Sequence, residues 1–355
     1  SVALMLGQGF AGPTNYAALA DFVVMVKGQA TMGMAGPALV KAGTGIDIDK
    51  ESLGGVARQA GKTGIADLAV ESEADALTAA GRFLSYLPSN ALEQPPIAEN
   101  IVASDQESLL NLVPADSRKV YDVRKVIAVI ADQDSVFEIK PRYARNIVTC
   151  FVRLGGRPVG VIANQSQSKA GILDAPASEK AAHFIAMCDA FGLPLVFLID
   201  VPGFSIGPAA EDTGLGRRSG RMLFELGIAT VPRISIVLRK GYGGGYFAMA
   251  GGRSFDADAA FAWPTAEICA MSIEGAVDVA FRRQFQDADD PAATRAELIE
   301  KIRTQTGAIN SLADFGLDDV IDPRETRQIL IETFATCPLR HRDKNPPRIR
   351  PISPI

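Results

Sequence analysis

Short apolar runs that end in glycine-marked turns and lead into helical stretches recur along the whole chain. This alternation constrains the fold more than any other feature. "LPLVFLIDVPGF" (193–204) reads as a buried strand closing in a turn, and "GRRSGRMLFELGIAT" (216–230) as the helix after it. "VPRISIVLRKG" (231–241) is the next strand. Repeated strand–helix alternation means an α/β protein with parallel strands.

The same pattern opens the chain. "SVALMLG" and "ADFVVMVKG" read as strands, and "GQGFAGPTNYAALAD" between them as a glycine-rich turn running into a helix. "DIDKESLGG" has the acidic first turn of a helix start. "ESEADALTAAGRFLSYLP" is an amphipathic helix. The Pro-rich, polar stretch "SNALEQPPIAEN" places an inter-domain linker at residues 88–115. Beyond it, "SRKVYDVRKVIAVIAD" reads as mostly helical, and "NIVTCFVRLGGRPVGVIANQ" as two strands about a Gly-Gly turn. "SEKAAHFIAMCDAF" is expected as an amphipathic helix, and "PAATRAELIEKIRTQTG" and "RETRQILIETFATC" as late helices. A length of 355 residues allows two domains.

Composition excludes several function classes. A net charge of −5 does not suit nucleic acid, and no apolar run approaches the length of a membrane span. Cys150, Cys188, Cys269 and Cys337 are too scattered for a metal-ligand pattern. Reduced, mostly buried thiols in a cytosolic compartment are expected. Only two histidines are present. His183 falls in a helical pattern and reads as structural, and His341 lies in a basic, Pro-rich tail expected to drape over the surface. Chemistry that needs a positioned histidine base is disfavoured.

Chemistry concentrates instead in "RKGYGGGYFAMAGG" (239–252), with Gly241, Gly243, Gly244 and Gly245 just after an apolar run. Glycine inside an element costs roughly 0.5–1 kcal/mol relative to alanine. The cluster therefore marks a tight turn where something passes close to the backbone. Unpaired N–H groups at the start of the following helix would converge on a phosphate or an oxyanion. "GYGGGY" is no dinucleotide fingerprint, because Tyr246 stands where the third glycine belongs. Gly61-Lys62-Thr63 lacks the earlier glycine of a P-loop, since that position is Val56. Pro202-Gly203 reads equally as a type II turn or as a pocket wall at the carboxyl end of a strand. A second small-residue turn, Phe10-Ala11-Gly12, would give the chain two backbone anion holes. Two holes suit a reaction in which carbonyl groups on two substrates both gain negative charge.

These segments resemble the β-type carboxyltransferase subunit of biotin-dependent acyl-CoA carboxylases, of the propionyl-CoA carboxylase kind. The likeness is carried by residues 160–165, 170–204, 229–249 and 263–277, and in the first part by "GPALVKAGTGIDIDKESLGG" (36–55). It implies two crotonase-like domains: the later half of an N-terminal domain plus linker at 1–115, and a C-terminal domain at 116–355. A further N-domain stretch ahead of Ser1 is expected, as is the possibility of a larger multidomain chain.

The resemblance also implies a function. A carboxyl group would move from carboxybiotin, carried by another domain, to the α-carbon of an acyl-CoA. The amides of Gly244 and Gly245 would hold the biotin oxygen, and those of Ala11 and Gly12 the thioester enolate oxygen. Gly243, Tyr246, Phe247, Pro202, Gly203 and Phe204 would line the substrate site. Implied partners are a biotin carboxylase or biotin carrier subunit or domain. The implied assembly is a homo-oligomer, a trimer of dimers, with each site formed between the N-domain of one subunit and the C-domain of another. The setting would be cytoplasmic, or the mitochondrial matrix in a eukaryote. Ala11-Gly12-Pro13, Gln59, Ser166, Arg218 and Phe247 depart from the family pattern, which bears on the substrate more than the reaction. Two alternatives stay open: a biotin-dependent decarboxylase running the chemistry backwards, and a scaffold subunit without catalysis.

Overall fold

Parallel pairing is what the buried runs produce. The computed structural model describes residues 1–90, 93–314, 316–337 and 352–353. His341 and most of the basic tail therefore lie outside the described residues. Strands β1 (Val2–Met5), β2 (Gln8–Phe10), β3 (Phe22–Val26), β4 (Thr31–Gly33) and β5 (Leu68–Val70) come from the first part of the chain. They form a parallel sheet in the order β1-β3-β5 and a separate parallel pair, β2-β4. The glycine-rich stretch after Gly7 thus contains a short strand, β2, as well as the expected turn and helix Gly12–Ala18.

The second part builds one eight-stranded sheet. Its strands are β6 (Phe137–Ile139), β7 (Ile147–Leu154), β8 (Arg157–Asn164), β9 (Leu195–Val201), β10 (Arg233–Tyr242), β11 (Ala259–Ala262), β12 (Glu267–Cys269) and β13 (Asp319–Val320). The order is β13-β11-β10-β9-β8-β7-β6, with β12 also pairing β10. From β8 to β13 the pairing is parallel, while β6, β7 and β8 are antiparallel. The expected Gly-Gly turn joins β7 to β8, with Gly155 and Gly156 both at positive φ. Such a two-residue turn matches the twist of the strands it connects.

Helix starts follow their caps. Ser72 accepts from the Asp75 N–H at the head of Glu73–Ser85, and Asp174 from the Ala177 N–H at the head of Ala175–Phe191. This second helix is not amphipathic. Every residue from 177 to 189 except Glu179 is buried, because helix Leu215–Ile228 packs across its outer side. His183 is structural, as read: buried, with Nδ1 2.9 Å from the Ser353 carbonyl oxygen. Lys180 donates to the carbonyls of Lys140, Tyr143 and Ile147 at 2.8–3.0 Å. The four cysteines are unpaired, with Cys150 and Cys188 buried and Cys269 and Cys337 partly so. No helix among the described residues is long and apolar enough to cross a membrane.

An aromatic stack joins the two parts of the chain. Phe22 of β3 lies on Phe83 with ring centroids 4.5 Å apart, and Phe83 meets Phe151 of β7 at 5.9 Å. Phe151 continues to Phe184 at 5.1 Å and to Tyr86 at 5.6 Å. Stacked and tilted pairs at these spacings add to the burial of their area. Phe83 is fully buried at the centre of the stack. Phe83→Ala is therefore predicted to lower unfolding free energy by about 3–5 kcal/mol. Equilibrium denaturation measures this, and a loss below about 1 kcal/mol would mean that the stack does not join the two parts.

Candidate active site

Two turns leave the carboxyl ends of neighbouring parallel strands. β9 runs out through Asp200 and Val201 into Pro202, Gly203 and Phe204. β10 runs out through Tyr242 into Gly243, Gly244 and Gly245, which begin helix Gly243–Ala248. The glycines answer to distinct constraints. Gly243 has φ 55, and a Cβ there would lie 2.8 Å from the Ala270 carbonyl oxygen. A Cβ on Gly245 would lie 2.9 Å from both Gly203 Cα and Val201 Cγ2. Backbone thus meets backbone where the β10 turn crosses the β9 turn, and only glycine leaves room. On Gly244 a Cβ would make an ordinary contact with the Phe204 ring at 3.4 Å. The glycines cluster here for separate reasons: Gly245 stands at this crossing, Gly243 takes the left-handed conformation, and Gly241 lies against the Tyr246 ring.

The exposed side of the turn carries Gly244 and Phe247, the latter 48% exposed. Phe247 is thus not part of the core. Tyr246 is the core residue: it is 2% exposed, and its ring packs over Gly241 and Gly251. It supports the turn from beneath. Pro202, Gly203 and Phe204 are half-buried, and Phe204 rests on Ala175, Ala210 and Leu215. The β9 turn is pinned by Leu173, whose N–H donates to the Gly203 carbonyl and whose carbonyl accepts from the Ser205 N–H.

Beneath both turns sits a charged cluster that motif reading missed. Asp200 has no exposed surface and Arg239 almost none. The Asp200 carboxylate accepts from Arg239 Nη2 at 2.9 Å, Arg239 Nε at 3.4 Å and the Lys240 N–H at 3.1 Å. Lys240 Nζ lies 3.5 Å away. Adjacent strand residues normally point to opposite faces. Here Val237 pairs with Ile199 and Gly241 with Val201, so β10 bulges by two residues opposite Asp200. The bulge turns both cations toward one carboxylate. Burial pushes the Lys240 ammonium below its usual range, and Asp200 opposes that shift.

Arg239 also reaches outward. Its Nη1 donates to the carbonyls of Pro114 at 3.3 Å, Asp116 at 2.9 Å and Lys119 at 2.7 Å, and its guanidinium lies 5.1 Å from the Tyr121 ring centre. The Asp116 carbonyl also accepts from the Lys119 N–H, and the helix expected from Ser117 starts only at Val123. The "ANQS" motif joins the cluster. Asn164 Oδ1 accepts from the Asp200 N–H, and Ser166 Oγ donates to the Tyr121 carbonyl. A usable signal was present in the sequence: Asp200 and Arg239 stand inside the two motifs whose turns meet.

The first-part turn is built differently. Ala11 has φ 64, a conformation uncommon outside glycine. Its N–H donates to the Gly33 carbonyl at 2.7 Å, continuing the β2-β4 pairing. That bond takes Ala11 out of the expected pair of oxyanion donors. Gly12 remains, exposed at the first helical position where no carbonyl precedes it within the helix. Pro13 next to it carries no N–H. Helix Gly12–Ala18 packs on β1, β2 and β4, whereas helix Gly243–Ala248 packs on β9, β10 and helix Leu215–Ile228. The two turns therefore stand on different sheets. Lys62 and Thr63 line a cavity of about 410 Å³ with Lys140, Lys180, His183 and Arg218, not a phosphate loop.

Comparison with known proteins agrees with this architecture. The chain is 42% identical to the methylmalonyl-CoA carboxyltransferase 12S subunit of Propionibacterium freudenreichii subsp. shermanii, over 94% of this chain and 64% of that protein. It is 39% identical to the propionyl-CoA carboxylase carboxyltransferase subunit of Haloferax mediterranei, over 93% of this chain and 64% of that protein. The chain thus spans a little under two thirds of these relatives. The transcarboxylase 12S structure, a hexamer with methylmalonyl-coenzyme A and methylmalonic acid bound, superposes with a TM-score of 0.89 at 41% identity, over 98% of this chain and 68% of that chain. The fold is accordingly that of the crotonase-like carboxyltransferases. Residues 1–351 match the carboxyl transferase domain, and the chain belongs to that family.

Proposed function

We propose that this chain is the carboxyltransferase component of a biotin-dependent acyl-CoA carboxylase. One observation carries the reading: the crossing of the 202–204 and 243–245 turns leaves the Gly244 backbone exposed, with the Phe204 ring alongside it. The first N–H groups of helix Gly243–Ala248 have no carbonyl within the helix to bond. Donors held this rigidly are suited to an oxygen on which charge develops. The site fits the ureido oxygen of biotin, an acceptor that needs only N–H donors and a close approach. Biotin, when bound, supplies the carboxyl group and the nitrogen that takes the acyl α-proton. The chain's own part is to hold oxygens. Gly244 and Gly245 hold one, and Gly12 holds the thioester oxygen of the acyl-CoA. Phe247 borders the acyl chain, and Pro202, Gly203 and Phe204 form the wall behind it.

The reading includes a homo-oligomer in which residues 1–115 of one copy face residues 116–355 of another. Its partners are a biotin carboxylase and a biotin carrier, and its setting is cytosolic or the mitochondrial matrix. The methylmalonyl-CoA decarboxylase alpha subunit of Veillonella parvula, 37% identical, supports a second reading in which the same turns serve the reverse reaction. Co-purification with a biotin carboxylase distinguishes the forward direction.

Two predictions test the assignment. Gly244→Val places a side chain over the donors without left-handed strain, since positive φ falls on Gly243. It is expected to cut methylmalonyl-CoA-dependent carboxylation of biocytin by about 10²–10³-fold, the usual effect of losing an oxyanion contact. Near wild-type turnover would refute the assignment of this turn. Phe247→Ala is expected to shift kcat/KM toward longer or bulkier acyl-CoAs by about tenfold. Stability should stay within about 0.5 kcal/mol, as for a surface substitution. An unchanged chain-length profile would remove Phe247 from the acyl site.

A further inference from the structure

We propose that Arg239, through Asp200, is a positioning residue that sets where the 243–245 turn stands against the 202–204 turn. The inference rests on the reading of that turn as the carboxyl-transfer site. The geometry is specific. In an unbulged pair the residue opposite Val201 would be Arg239, yet Gly241 occupies that place. The two extra residues draw the start of the glycine turn back along the strand by roughly 7 Å, at about 3.3 Å per residue. This retraction brings Gly245 against Gly203.

The bulge has a chemical lock. Regular pairing would place Arg239 and Lys240 on opposite faces of β10 and would part the Lys240 N–H from the Asp200 carboxylate. With the bulge, Asp200 receives Arg239 Nη2, Arg239 Nε and the Lys240 N–H. Arg239 Nη1 meanwhile holds three carbonyls between residues 114 and 119. A lysine could reach Asp200 but could not gather those carbonyls as well, because it lacks the planar fork of a guanidinium. Neither side chain reaches the exposed face that carries Gly244 and Phe247, so the effect on chemistry must pass through the backbone of the turn. Misplacing a catalytic group by about 1 Å costs on the order of 10²-fold in rate.

The test uses Arg239→Lys and Asp200→Asn in the full assembly, with methylmalonyl-CoA and biocytin as substrates. Each variant is expected to lower kcat by about 10²-fold while the Kd for methylmalonyl-CoA stays within about twofold. Combined with Gly244→Val, each should cost less than the product of the separate effects, because both act on one turn. A kcat within threefold of wild type would overturn the proposal. So would multiplicative effects in the double variants, or a parallel loss of methylmalonyl-CoA affinity, either of which marks a purely structural role. If neither variant folds, the pair is a folding requirement and the positioning claim falls. If Gly244→Val alone leaves turnover intact, the reading of the turn fails. If it abolishes turnover while both pair variants stay active, only the positioning claim fails.

Discussion

A carboxylate without exposed surface, Asp200, sits between two cations at the carboxyl ends of β9 and β10, and the rest of the candidate site is arranged around it. Burying an ion pair carries a desolvation cost that attraction alone seldom offsets. Here the cost is offset by hydrogen bonds from the Lys240 N–H to the carboxylate and from the guanidinium to three backbone carbonyls, and by the cation–π contact of the guanidinium with the Tyr121 ring. A hydrophobic replacement of similar volume could fill the space, but it would give β10 no reason to bulge. The pair is thus better understood as a register device than as a source of stability. It ties the "IANQS", "IDVPGF" and "RKGYGGGY" segments, far apart in sequence, to one point.

The two candidate donor turns reside on separate frameworks. The 243–245 turn belongs to the eight-stranded sheet, and the turn at Gly12 to the helix that packs on β1, β2 and β4. The aromatic stack from Phe22 through Phe83 and Phe151 to Phe184 fixes these frameworks relative to each other within one chain. A transfer reaction between two substrates gains from such an arrangement. On the proposed function, each substrate oxygen has its own backbone donors. No titratable base is needed on the protein for that division of labour, which agrees with a chain whose buried His183 serves the packing.

Most of the architecture could be read from local pattern, because buried parallel strands announce themselves as apolar runs and capped helices as Ser or Asp before an acidic turn. Strands β1, β3, β7, β8, β9 and β10 and the helix Glu73–Ser85 stand where the sequence places them. What escaped was set by tertiary partners. Helix Ala175–Phe191 lacks a polar face because another helix covers it. Residues 117–122 are non-helical, and Arg239 bonds the carbonyls of Asp116 and Lys119 there. Ala11 loses its donor role to a sheet bond with Gly33, and Tyr246 turns inward because Gly241 and Gly251 leave space for its ring. The glycine turn itself was visible. Its cause, one backbone crossing another, required knowing that β9 and β10 are neighbours.

If backbone N–H groups of the 243–245 turn hold an oxygen of the carboxyl carrier, their amide resonances must respond to biotin. The most direct measurement is the amide shift of Gly244 and Gly245 in glycine-¹⁵N-labelled protein as biotin is added. These two resonances are expected to move downfield and saturate with the same biotin dependence as turnover, while solvent-exposed Gly45 and Gly81, far along the chain, stay in place. Amides of Gly244 and Gly245 that do not move at a biotin concentration saturating turnover would contradict it.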